Sequence, residues 1–89
     1  MAIVWIPSLL RQLTHGQEKV TVTGANVGQV VLELDRRYPG MRARLCEGDC
    51  LRAGMAVVVD TEVARLGLSQ PVGEKSEVHF LPAVSGGQV

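Results

Sequence analysis

The spacing of apolar positions changes several times along the chain, and each change marks a different element. Ala2-Ile3-Val4-Trp5-Ile6 is a short run rich in branched residues and closed by Pro7, the pattern of a strand. The polar stretch through Gln12, Thr14, His15, Gly16 and Gln17 reads as a loop. Lys19-Val20-Thr21-Val22-Thr23 alternates with a period of two, which puts Val20 and Val22 on one face of a second strand. A hairpin is the simplest link between the two strands.

The clearest helix follows. Val27, Val30, Val31, Leu34 and Tyr38 recur at the spacing of one face at about 3.6 residues per turn. Asn26 is a good N-cap, and Gln29 three residues on completes a capping-box pattern. Pro39-Gly40 stops the helix. Valine forms helices less readily than leucine, so burial rather than propensity must hold it. A shorter amphipathic turn is expected through Met41 to Cys46.

Beyond a glycine-containing loop, Met55-Ala56-Val57-Val58-Val59 reads as a central, mostly buried strand with a turn at Asp60-Thr61. Val63 to Leu66 is expected as a short edge strand and Gly67 to Gly73 as loop. Glu77-Val78-His79-Phe80-Leu81 forms the last strand, broken by Pro82. The order of strand, strand, helix, strand, short strand, strand predicts an α+β roll, with one helix covering one face of a mixed sheet. Residues 1–82 are expected to form the domain and residues 83–89 a flexible tail.

Composition narrows the function. At 89 residues and 46% hydrophobic there is room for one core, built mainly of Val and Leu, since Trp5, Tyr38 and Phe80 are the only aromatics. No apolar run approaches the roughly 20 residues that cross a bilayer, and no secretory signal pattern opens the chain, so neither a membrane nor a secreted role is expected and the cytoplasm is the default. Nine basic and nine acidic residues give a formal net charge of +0, without the basic excess of a nucleic-acid binder. Arg36, Arg37, Arg42, Arg44 and Arg52 do cluster. The plain reading is a solvated helix end and loop, and the alternative is an electropositive docking patch for an acidic partner. Cys46 and Cys50 cannot complete a zinc site alone and are spaced one residue wider than a thioredoxin-type pair, so free thiols are expected.

No conventional active site emerges. No nucleophile has an evident His partner, no glycine-rich loop cradles phosphate, and His79 reads as a half-exposed strand residue rather than a general base. No metal or cofactor is implied, and the chain is not expected to be an enzyme. The informative feature is the end, Ser85-Gly86-Gly87. Glycine lacks a Cβ, so such a tail can thread a narrow channel in another protein. Taken alone, Gly-Gly is weak evidence and is better read as a frayed end or linker.

It is not alone. Val78-His79-Phe80-Leu81-Pro82-Ala83-Val84-Ser85-Gly86-Gly87 resembles the C-terminal signature of the bacterial ubiquitin-like sulfur carriers. That family includes the small subunit of molybdopterin synthase and the thiamin-pathway carrier. The Leu-Pro-Ala-Val-small-Gly-Gly ending is most like the carriers of cysteine biosynthesis. Ile6-Pro7-Ser8-Leu9-Leu10, the helix end at Tyr38-Pro39-Gly40, and the Asp60-Thr61-Glu62-Val63 turn fit the same group. The family often has an acidic turn before the last strand, where this chain has Gly73-Glu74-Lys75-Ser76.

The resemblance implies a ubiquitin-like β-grasp roll and a carrier mechanism. Gly87 would be adenylated by an ATP-dependent activating enzyme of the ubiquitin-activating type, then thiocarboxylated, with Gly86 and Ser85 threading the tail. The chain continues past Gly87 with Gln88-Val89, so a metallopeptidase of the JAMM type would first cut between Gly87 and Gln88. A sulfur-accepting synthase or sulfhydrylase would receive the sulfur. The same resemblance admits a protein modifier conjugated through Gly87, or a molybdopterin synthase small subunit. If Val4 and Ile6 face the helix, Ile3 and Trp5 project from the other side of the sheet. In a roll of this kind the first and last strands are neighbours, which places His79, Leu81 and Pro82 beside them. The expected result is an apolar partner surface leading to the tail, with Trp5 covered by its own neighbours as the plainer alternative.

Overall fold

A computed structural model describes residues 1–52 and 54–82. In chain order the elements are β1 (Ala2–Trp5), a 3-10 helix (Ser8–Thr14), β2 (Lys19–Val22), α1 (Val27–Arg37), α2 (Met41–Leu45), β3 (Cys46–Glu47), β4 (Cys50–Leu51), β5 (Met55–Val59), β6 (Glu62–Val63), a second 3-10 helix (Gly67–Ser69) and β7 (Glu77–Pro82). Five strands form one sheet in the order β2-β1-β7-β5-β6, and β3 and β4 form a separate hairpin. The central β1–β7 pair is parallel, and the other pairings of the sheet are antiparallel. This is the mixed sheet of a β-grasp roll.

Alternation along the strands decides which face is sealed. Val4, Val22, Val57, Val78 and Phe80 point to the side of α1 and are buried with Val27, Val30, Val31 and Leu34 of that helix. Burying each such side chain fully is worth about 1.5–3 kcal/mol. That compensates for the valines of α1, which are poor helix formers. Asn26 caps α1 by accepting a hydrogen bond from the Gln29 amide at 2.8 Å. Gln29 answers by accepting from the Ala25 amide at 2.8 Å, one residue before the position a capping box uses. At the other end, Asp35 Oδ1 accepts from the amides of Gly40 and Arg42 at 3.2 and 3.0 Å, and so caps α2. Gly24 allows the close approach of chain and helix, because a Cβ there would sit 2.9 Å from Val30 Cγ2 and 3.0 Å from Val30 N.

Four segments differ from the sequence reading. The stretch read as loop from Gln12 begins instead inside a 3-10 helix over Ser8–Thr14. Its Leu10 and Thr14 are buried, and the Thr14 hydroxyl lies 3.0 and 2.8 Å from the carbonyls of Arg11 and Gln17. Thr14 is spoken for by local carbonyls, which lets a polar residue sit in the interior. The β3–β4 hairpin was not expected, although Gly48-Asp49 between the paired Glu47 and Cys50 is a two-residue hairpin signal. The edge strand covers Glu62–Val63 rather than Val63 to Leu66, because the chain then turns into the second 3-10 helix. The expected loop from Gly67 to Gly73 is in fact fastened to the front of α1. Val72 donates to the Ala25 carbonyl at 2.9 Å, and Val27 donates to that of Gln70 at 3.0 Å. Among the described residues no helix is long and apolar enough to cross a membrane.

Candidate functional site

The outer face of the sheet carries the functional candidates. The parallel register of β1 and β7 sets Ile3 beside Glu77 and Trp5 beside His79. Ile3 and Trp5 are half-buried, and their neighbours Ala2 and Val4 point to the core. His79 is half-buried, whereas Leu81 is 45% exposed.

Trp5 is the centre of this face. Its ring stacks on that of His79 with centroids 5.4 Å apart and planes 7° from parallel. Its indole N–H donates to Glu77 Oε1 at 3.3 Å, and the same oxygen lies 3.8 Å from His79 Nε2. From the other side Lys19, the cross-strand partner of Trp5, holds its ammonium 5.4 Å from the ring centroid. Cross-strand pairs of this kind are worth roughly 0.2–1 kcal/mol each. The neighbours of Trp5 thus fix the ring's orientation and leave part of it open, a geometry between an unsupported patch and a covered core residue. Sequence reasoning missed Lys19 and Glu77, and strand register was the signal that could have found them.

Next to this platform is a groove of about 590 Å³ between the first 3-10 helix and the end of β7. Buried Ile6, Leu10 and Phe80 form its floor. Trp5, Leu9, Met55 and Leu81 form its walls, with Leu9 82% exposed. Arg11 and Arg44 also line it. Pro82, the last described residue, pairs with Met55, which lines this groove. Ser85, Gly86, Gly87 and Gln88 lie outside the described residues.

The remaining candidates lie elsewhere. Cys46 is buried and Cys50 exposed, both as free thiols, and burial pushes the Cys46 thiol above its ordinary pKa. Of the arginine cluster, Arg37, Arg42 and Arg52 donate to the carbonyls of Thr21, Gly48 and Ala43, and Arg36 pairs with Glu33. That pairing lowers the Glu33 pKa and raises that of Arg36. Asp60 fastens the β5–β6 turn to the start of β7, accepting from the Ser76 hydroxyl at 2.6 Å and the Glu77 amide at 2.9 Å. Those two bonds hold its carboxyl below the usual range. Among the described residues no three His, Cys, Asp or Glu side chains come together as a metal site.

The sequence profile of the ThiS family matches residues 4–87. The chain belongs to the ThiS family. The sulfur carrier protein CysO of Mycobacterium tuberculosis is 34% identical to this ThiS-family chain over 89 residues, covering 94% of the chain and 96% of that protein. A chain of the Amycolatopsis orientalis BexX/CysO complex superposes with a TM-score of 0.89 at 34% identity, covering 98% of this chain and all of that one. Small archaeal modifier protein 1 from Methanosarcina acetivorans has a TM-score of 0.77 at 25% identity, covering 97% of this chain and 95% of that one. The ThiS-family match therefore takes in both strands of the Trp5–His79 platform and reaches Gly87.

Proposed function

We propose that this chain is a sulfur carrier working through the carboxylate of Gly87, with cysteine biosynthesis as the pathway it supplies. One observation carries the reading: the family match ends at Gly87, and Gln88 and Val89 lie beyond it. The relative named as a sulfur carrier, aligned over nearly the whole chain, supports the same assignment.

The chemistry explains why the end must be freed. Between Gly87 and Gln88 the carbonyl is an amide, so a peptidase of the JAMM type first hydrolyses that bond and leaves a carboxylate. A carboxylate is a poor electrophile. Its oxygen attacks the α-phosphorus of ATP in an activating enzyme, pyrophosphate leaves, and the glycine becomes an acyl-adenylate. A sulfide equivalent then attacks the carbonyl carbon and expels AMP, giving a thiocarboxylate whose sulfur is the nucleophile for an acceptor synthase or sulfhydrylase. The chain catalyses none of these steps. Residues 1–82 serve as the surface that partners recognise, and residues 83–89 serve as the tail they work on. The half-open platform of Trp5, Ile3, His79 and Leu81, with Pro82 at its end, suits that recognition, because aromatic residues dominate binding hot spots.

ATP–pyrophosphate exchange by the activating enzyme tests the order of events. The form ending at Gly87 should support exchange and the form ending at Val89 should not. Equal exchange with both would remove trimming from the scheme.

A second reading, a protein modifier conjugated through Gly87, is favoured by the likeness to the archaeal modifier protein. Incubation with cell extract and ATP separates the two. High-mass adducts on target lysines would favour the modifier, and their absence the carrier.

A further inference from the structure

The groove beside the first 3-10 helix differs from the aromatic platform in its charge. Its floor and walls are apolar, and its charged lining is the guanidiniums of Arg11 and Arg44, with no carboxylate among the lining residues. Arg11 is engaged, since its Nε donates to the Ile6 carbonyl at 3.1 Å. Arg44 is exposed, and among the described residues its side chain makes no hydrogen bond or ion pair. Arg42 and Arg52 are instead turned onto the carbonyls of Gly48 and Ala43. The groove thus holds one uncommitted cation at the rim of an apolar cleft, the complement of a short apolar segment that ends in an anion.

Such a segment belongs to the chain itself. Residues 83–87 are Ala83-Val84-Ser85-Gly86-Gly87, with no charged side chain, and cutting after Gly87 gives them a single negative charge on its carboxylate. Pro82, from which they start, pairs with Met55 on the groove wall. We infer that the groove is the resting seat of this end: Ala83 and Val84 lie against the apolar walls, and Arg44 donates two parallel hydrogen bonds to the Gly87 carboxylate. The inference rests on the carrier reading above, which frees that carboxylate. Reach permits it, since five residues at about 3.3–3.6 Å each span at most roughly 18 Å. The two glycines can adopt the left-handed conformations that a reversal of direction needs. Tethering favours it, because a linker this short holds the end at an effective concentration on the order of millimolar, enough for a contact too weak to bind a free peptide. A thiocarboxylate has sulfur in place of one oxygen and keeps the negative charge, so the loaded end takes the same seat. There its sulfur is held against a guanidinium in an apolar cleft, shielded from stray electrophiles until a partner draws the end away.

Nuclear magnetic resonance of the form ending at Gly87, free of any partner, tests the seat directly. The Gly86 and Gly87 amides should show the restricted motion of docked residues. The Gly87 carboxyl should titrate at a lower pH in the parent than in Arg44→Gln, because a nearby cation favours the ionised form. Arg44→Gln and raised salt should each release the end, and Leu9→Ser should loosen it. Arg36→Gln, whose guanidinium pairs with Glu33, should leave it seated. Arg44 and Leu9 are exposed, so an unchanged unfolding midpoint separates a lost seat from a lost fold. On the loaded form, iodoacetamide should alkylate the Gly87 sulfur threefold or more faster in Arg44→Gln, read by mass mapping of the C-terminal peptide. An end equally mobile and equally titrating in the parent and Arg44→Gln, or equal alkylation rates, would overturn the inference. So would docking that strengthens with protein concentration, which would assign the seat to the end of a second copy. The carrier reading fails separately: an end that rests on Arg44 but never gains sulfur from the activating enzyme, ATP and sulfide would sink that reading and leave the seat assigned.

Discussion

The two faces of one sheet obey different rules. The inner face is aliphatic and closed: Val4, Val57, Val78 and Phe80 meet α1 with almost no exposed surface. The outer face, one residue away on the same strands, holds Trp5, Glu77, His79 and Lys19 in a half-open network of stacking and polar contacts. The inner face gains its energy from area removed from water. The outer face gains little stability but keeps shaped, orientable groups available to a partner. The difference teaches that alternate residues of the same strands can close one face and leave the other half-open.

Substitutions should break the two faces in different assays. Phe80→Ala should cost about 3–5 kcal/mol in denaturant unfolding, whereas Leu81→Ala next to it should stay within about 0.5 kcal/mol. Gly24→Ala, which crowds Val30, should cost about 1–3 kcal/mol by the same measurement and so extend the rule of the closed face to its border. Trp5→Ala should do the reverse: about 1 kcal/mol or less of stability, against about 2 kcal/mol or more of affinity for the activating enzyme by titration calorimetry.

Two finer effects sharpen the contrast. Asp60 holds its proton less tightly in the folded state than in the unfolded chain, because its carboxylate accepts from Ser76 and Glu77. Its contribution is therefore present above the unfolded carboxylate value of about 3.9 and fades as pH falls through the lower folded value. Asp60→Asn should flatten that part of the acid-unfolding profile measured by circular dichroism. Smallest of all, alkylation followed by mass mapping should label Cys50 quickly at neutral pH and Cys46 slowly. Burial disfavours the Cys46 thiolate and blocks access to it.

The closed face was legible in the sequence because its physics is periodic. The helical spacing from Val27 to Leu34 and the alternation of Val20 with Val22 each have a single way to be buried. The open face was legible only in part. That Ile3 and Trp5 turn away from the helix follows from strand alternation. That Trp5 is fixed by Lys19 and Glu77 depends on register between residues far apart in the chain, which no local pattern encodes. The 3-10 helix at Ser8–Thr14 was hidden for a related reason. Thr14 and Gln12 look like loop residues, and only the local carbonyls around Thr14 reveal why a hydroxyl belongs inside. The groove escaped because its apolar lining comes from separate segments: the Pro7–Leu10 turn, Met55 and Leu81. The tail residues Ser85, Gly86 and Gly87 were named from resemblance to a family signature, and the family match runs to Gly87.

The central claim is that sulfur is carried on Gly87. Intact mass spectrometry of the chain after incubation with the activating enzyme, ATP and sulfide addresses it most directly, run in parallel on the forms ending at Gly87 and at Val89. The form ending at Gly87 should gain the mass of one sulfur in place of one oxygen, and the longer form should stay unchanged until the peptidase is added. Sulfur gained by the form ending at Val89, or by neither form, would contradict the claim.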